Sequence, residues 1–213
     1  MVQSNAAAAQ YPEDEPLFSS AHAALTFAHH FVCQHYDPPA MVKMMRGPAI
    51  GSGKGLSGLD GAAQAGMVLA QMDSLPKLHH AILVARTAPP TVPCSCGARC
   101  CAKKRPNDEW ERAIGYITQE AVGVLSGCLS HYRLRRAIVE RCLGGKDAIS
   151  KIAEECGVNR DTASNHNARI LRWLRGDKPT KHAIQRVVDR KIGEEERAWA
   201  HMDELLRSVG LVG

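Results

Sequence analysis

The sequence predicts an all-α protein, a helical bundle carrying a helix-turn-helix and a small cysteine-rich metal-binding insertion. Apolar residues recur at three- and four-residue spacing in one segment after another. Capping residues and Pro or Gly stops bracket those segments. No stretch alternates apolar and polar residues as a half-buried strand would.

In chain order, residues 1–16 hold Ala, Gln and Pro with an acidic cluster at Glu13, Asp14 and Glu15, and read as a mobile N-terminus. Ser19 or Ser20 caps a helix to about Tyr36, with Ala24, Phe27, Ala28, Phe31 and Val32 at helical spacing, and Pro38-Pro39 stops it. Residues 47–61 hold six glycines and one proline and read as a loop. A helix over about Leu59–Met72 follows, then another from Ser74, with Pro76 just inside, to about Arg86. This N-terminal helical region spans 17–91. Pro89, Pro90 and Pro93 break the chain ahead of a cysteine module and basic linker, 92–106. The helix-turn-helix region, 107–178, opens with Asn107 or Asp108 capping a helix to about Ser126. A helix over about Ser130–Leu143 is ended by Gly144-Gly145, and two shorter helices share 147–175. In 179–213, a long helix from Thr180 to about Ser208 is expected, with Gly193 as an irregularity inside it.

At 213 residues and 45% hydrophobic content the chain can bury a core of one or two domains, and wholesale disorder is excluded. No apolar run reaches the roughly 20 residues of a membrane span. No basic region precedes an apolar stretch near Met1, so no secretory signal is expected. The expectation is a cytoplasmic protein with reduced cysteines and no membrane partner. The net charge of +5 averages unlike parts. Residues 1–102 carry six basic and six acidic side chains, 103–191 carry 19 and 11 (+8), and 192–213 carry two and five (−3). A basic segment in a neutral protein is the footprint of a polyanion partner, although solvated helix faces would look the same.

The strongest motif lies in that segment. Over 149–166, Ala153 is small where two helices must cross, Gly157 permits a left-handed turn, and Val158 re-enters the core. Ile149, Ile152 and Cys156 face inward on the first helix, and Ala163, Ile170 and Leu171 on the second. The second helix then offers Asn159, Arg160, Asp161, Thr162, Ser164 and Asn165 at the end where a recognition helix meets base edges. Arg169, Arg172 and Arg175 follow as a stripe suited to phosphates. An ordinary helical hairpin is the competing explanation. Asn167, with His166 beside it, stands where an apolar residue is usual, so either the packing is unusual or Asn167 faces DNA.

Cys94, Cys96, Cys100 and Cys101 crowd eight residues. Four thiols in a reducing compartment favour a soft ion, most plausibly structural Zn²⁺. Adjacent Cys100 and Cys101 do not easily bind one ion together, so a fourth ligand could come from His79, His80, Cys128 or Cys142. A redox pair or incidental thiols are the alternatives. Cys33, Cys128, Cys142 and Cys156 lie on helices and read as structural.

The loop Gly47–Leu56 is not a phosphate cradle, because Pro48 and Gly55 stand where that motif needs Gly and Ser or Thr. His29-His30 and His79-His80 read as half-buried helix residues. No nucleophile triad or acid–base carboxylate pair is recognisable, so the chain is not expected to be an enzyme. Trp110, Trp173 and Trp199 read as packing anchors.

Leu56-Ser-Gly-Leu-Asp60, followed by an Ala/Met-rich helix with Gly66-Met67, resembles the central segment of the phage late-gene transcription antitermination proteins of the Q type. The later cysteine module, and the order of elements from Asp108 through Leu174, add to the likeness, which covers about residues 50–175. The cysteines here are compressed, where the phage lambda member of that family spreads them over two wider pairs. The resemblance implies a protein that binds duplex DNA near a late promoter and engages bacterial RNA polymerase paused with its sigma factor. It would then travel with the polymerase and let it read through terminators. On that picture Asn159–Arg169 bind DNA, the cysteine module supports the fold, and the Gly-rich loop contacts polymerase or nascent RNA. The rivals are a simple helix-turn-helix promoter regulator and a zinc-dependent DNA-processing enzyme.

Overall fold

The computed structural model describes residues 16–34, 58–94, 96, 102–128, 130–177 and 191–213. Among them are eight helices and one two-stranded sheet. The helices are α1 (Ala21–Gln34), α2 (Gly58–Asp73), α3 (Lys77–Thr87), α4 (Asp108–Val124), α5 (Tyr132–Cys142), α6 (Ile149–Glu155), α7 (Arg160–Arg175) and α8 (Glu194–Ser208). Strands β1 (Thr91–Pro93) and β2 (Lys104–Pro106) pair antiparallel, Val92 opposite Arg105.

The mostly helical architecture matches the expectation, and its layout follows from which faces are apolar. In α3 the run Ala81–Ala85 is buried on every side, which makes it the central helix, packed on α1, α4 and α8. α1 brings Ala24, Leu25 and Ala28, and α2 lays Ala65, Val68 and Met72 against it. The small residues let these two helix backbones approach closely. Ile114, Ile117 and Ala121 turn one face of α4 to α3 and α5. Ala198, Met202 and Leu206 bring α8 back across α3 and α7, so one continuous core joins the early and late helices. Each fully buried Leu, Ile or Met there stabilises the fold by about 1.5–3 kcal/mol relative to exposure.

Local signals set most boundaries. Ser20 Oγ accepts from Ala23 N at 3.2 Å and starts α1. Asn107 Oδ1 accepts from Glu109 N at 3.1 Å and starts α4, while its amide donates to Pro89 O at 2.8 Å, tying this helix to the end of α3.

Four expectations are corrected. Ser74 does not cap α3: its hydroxyl donates to Gln71 O at 2.7 Å to close the preceding turn, and Pro76 holds the cap position. His131 rather than Ser130 opens α5, its Nδ1 accepting from Leu134 N. Two strands do exist, each only three residues long and therefore too short to show alternation. The final helix begins at Glu194, because 191–193 run extended against the end of α7, with Asp177 N donating to Lys191 O at 3.0 Å and Gly176 bridged to Ile192. Gly193 is therefore a cap residue. A Cβ there would overlap the Leu174 carbonyl, and one on Gly176 would lie 2.7 Å from Gly193 N, so the two strands can cross here only as glycines. Residues 1–15 of the expected mobile N-terminus, the expected end of α1 beyond Gln34, positions 47–57 of the Gly-rich loop and the segment 178–190 lie outside the described residues, whereas positions 58–61, read as loop, form the first turn of α2.

Candidate nucleic-acid interface

α6 and α7 meet through a four-residue connection whose geometry is that of a Schellman stop. Gly157, at φ +65°, follows the last turn of α6; Val158 N donates to Ala153 O at 2.9 Å and Gly157 N to Glu154 O at 3.0 Å. Ala153 and Ile152 are buried, and Ile149, Cys156 and Val158 pack on the core. Asn159 then caps α7, its Oδ1 accepting from Asp161 N at 2.8 Å, with Asp161 in the first turn where a negative charge suits the helix dipole.

A helix turns about 100° per residue. In α7 this sends Ala163, His166, Ile170 and Leu174 inward, against α5, α6 and α8. Arg160, Asp161, Thr162, Ser164, Asn165 and Arg169 are all exposed. The centre of the outward face runs Asp161, Asn165, Ala168, Arg172. Six of the seven sequence-selected residues are thus exposed, five within the first two turns and Arg169 one turn further, whereas the carboxamide of Asn159 is occupied by its cap.

The open question over His166 and Asn167 resolves in favour of His166 as the inward residue. It is 2% exposed, and burial first, then the charges of Arg169 and His131, hold its imidazole below the ordinary pKa. It sits neutral beneath the helix. Asn167 is half-buried and accepts from the Cys142 thiol at 3.7 Å, so it faces α5.

The arginine stripe does not survive intact. Arg172 is paired with Asp177, and Arg175 donates to Cys142 O at 2.9 Å and lies 3.9 Å from Glu195. Arg169 reaches Ser126 O at 3.5 Å and points along the open face. Behind Arg175 is an arrangement that sequence reasoning missed. Arg86 of α3 grips Glu195 of α8 with one guanidinium edge, Nε donating to Oε1 at 2.6 Å and Nη2 to Oε2 at 2.8 Å, with the two side chains 20% and 15% exposed. The pairing partners lie 109 positions apart, and no local spacing signals them.

Of the predicted metal ligands, Cys94 is half-buried and Cys96 exposed at the mouth of the hairpin, where Cys94 N donates to Lys103 O at 3.0 Å; Cys100 and Cys101 lie outside the described residues. The candidate fourth ligands have other surroundings. His79 lies 3.4 Å from Glu194 and edge-on to His201, and His80 lies 3.5 Å from Asp73. Cys142 is buried between helices, and burial pushes its thiol up to about 11. Cys128 is half-buried in the α4–α5 connection. Among the described residues, no three His, Cys, Asp or Glu side chains converge as a metal site, and no helix is long and apolar enough to cross a membrane.

In comparisons with known proteins, no family model, no curated protein and no solved structure matches the chain.

Proposed function

We propose that this chain is a sequence-specific DNA-binding transcription regulator, in which α6, its turn and α7 form a helix-turn-helix and the first two turns of α7 enter the major groove. The supporting observation is the polarity of α7. One face is locked into the core by Ala163, His166, Ile170 and Leu174, while Ser164 and Asn165 stand exposed on the far side and Arg160 and Thr162 on its two flanks, behind a capped N-terminus. Arg and Asn are the side chains that make bidentate contacts to guanine and adenine edges, and Ser and Thr add single hydrogen bonds. Arg169, one turn further, takes a backbone phosphate.

The regulator acts, on the resemblance to Q-type proteins, as a phage or prophage antiterminator in the host cytoplasm. It loads onto promoter-proximal paused RNA polymerase and travels with it through terminators. The cysteine module is a structural Zn²⁺ insertion. β1–β2 pairing pins both ends of the loop that carries the four thiols, and thiolates are the donor set zinc prefers. The ion there would fix the loop and supply no chemistry of its own.

Selection of bound duplexes from a randomised library, followed by transcription in vitro through a terminator on the selected template, tests both levels. Enrichment of one motif, with Arg160→Ala and Asn165→Ala each weakening binding by about 1–3 kcal/mol per lost base contact, is the expected result. Unselective duplex binding would remove the recognition helix. Selective binding without readthrough would leave a simple promoter regulator.

A further inference from the structure

Beyond the outward face of α7, the end of that helix borders a cleft of 450 Å³ walled by α4, α7 and the start of α8. Its lining holds Arg169, Arg172, Lys191 and Arg197 together with Trp173, and Glu194 is the one carboxylate among the lining residues. Glu194 is already engaged, 2.9 Å from Arg197 and 3.4 Å from His79. Asp177 at the rim takes Arg172 at 2.5 Å, which leaves the lining cationic overall. Trp173 packs on the core yet remains partly exposed into the cleft.

The volume falls in the range of about 300–1,000 Å³ typical of ligand pockets. A planar aromatic flanked by guanidinium and ammonium groups recognises a particular pairing: a flat π-system next to a phosphate. Trp173 lies eight residues beyond Asn165, about 12 Å along the helix axis at 1.5 Å per residue, so the cleft is a separate place from the groove-reading turns. Four cationic side chains spread over one lining, against one carboxylate, suit a polyanion rather than one small anion.

The geometry points to a second nucleic-acid site: the cleft holds one unpaired base of a single strand stacked on Trp173, with the adjoining phosphates on Arg169 and Lys191. This goes beyond duplex reading by α7, with which it shares only Arg169. Base–aromatic stacking is tolerant of sequence, so the site binds single strands with little base preference.

Tryptophan fluorescence titration of the full chain with oligo(dT) and oligo(U), with adenosine monophosphate and with inorganic phosphate tests the assignment. The expected result is quenching by the oligonucleotides. Trp173→Phe should abolish the quench, and Lys191→Glu should raise the dissociation constant about tenfold, with both variants keeping the wild-type helical circular dichroism spectrum and a single unfolding transition. Binding of the same duplex selected by α7 should persist in Trp173→Phe. Quenching that survives in Trp173→Phe would overturn the proposal. So would monophosphate binding as tightly as the oligonucleotides, which would mark a free-nucleotide site, or phosphate displacing the oligonucleotides at equal concentration, which would mark a plain anion site. Loss of duplex selection alone would sink the helix-turn-helix reading and leave this one standing.

Discussion

Replacing Glu195 by Gln keeps the shape of the side chain and removes its charge, and it tests whether the α3–α8 ion pair holds the late helices in place. The Arg86 guanidinium donates twice to the carboxylate and is four-fifths buried, while Arg175 stands 3.9 Å away on its other side. Stripping one partner from a fully buried pair costs about 3–5 kcal/mol, because the remaining charge is left without compensation. Here the edge of the pair is open to water and the amide oxygen of Gln still accepts one bond, so about 2–3 kcal/mol is expected. At about 2–4 °C per kcal/mol for a chain of this size, the melting temperature should fall by about 4–12 °C. Arg86→Leu alone and Glu195→Leu alone should each cost a similar amount. Arg86→Leu with Glu195→Leu should recover most of the loss, to within about 1 kcal/mol of wild type, since two apolar side chains leave no orphaned charge, giving a coupling of about 3–5 kcal/mol in a double-mutant cycle. Urea unfolding of the four proteins measures it. Additive losses, with coupling below about 0.5 kcal/mol, would refute the view that this pair works as a buried unit. The exposed Arg197–Glu194 pair is the control and should contribute less than about 1 kcal/mol.

Gly193→Ala should destabilise by about 2 kcal/mol or more, because the new methyl meets the Leu174 carbonyl, whereas Gly157→Ala should cost about 1 kcal/mol from its φ alone; chemical denaturation separates the two. His29 is 2% exposed, and burial, reinforced by the fields of His80 and His30, lowers its pKa to about 4 from 6.5. The folded state therefore binds fewer protons than the unfolded one between those values. Stability is complete above pH 6.5 and falls by about 3 kcal/mol as the pH drops to 4, and His29→Leu should flatten that decline in a pH series of melts. Cys94→Ser with Cys96→Ser should lose about one zinc per chain by elemental analysis; a metal-free wild-type protein would eliminate the zinc insertion.

Much of this molecule was legible in the sequence wherever the cause was local. The Asn107 cap, the Gly157 turn, the small Ala153 and the inward set Ala163 and Ile170 follow from backbone needs and the 3.6-residue period, which act within a few positions, whereas Asn159, read as a base contact, proves to be the cap of α7. The candidate recognition residues were legible for the same reason: a helix with one apolar face leaves its polar face to solvent. Ser74 misled because two neighbouring residues compete to start one helix, and the hydroxyl found a nearer carbonyl in the previous turn.

What periodicity could not supply is partnership across the chain. That Arg172 and Arg175 are spent on Asp177, Cys142 and Glu195, and so are not a free phosphate stripe, depends on where α8 returns. The gathering of Trp173 and Lys191 into one cleft depends on the crossing at Gly176 and Gly193, which interrupts a helix that composition alone would have continued. The sequence by itself determined most of the helices, the Asn107 cap and the polar face of α7, since these answer to hydrogen bonds and side-chain spacing inside a single element. The tertiary structure decided which charges remain available and which cavities form, because pairing energy depends on distance and burial, and both are set by packing between residues far apart in the chain.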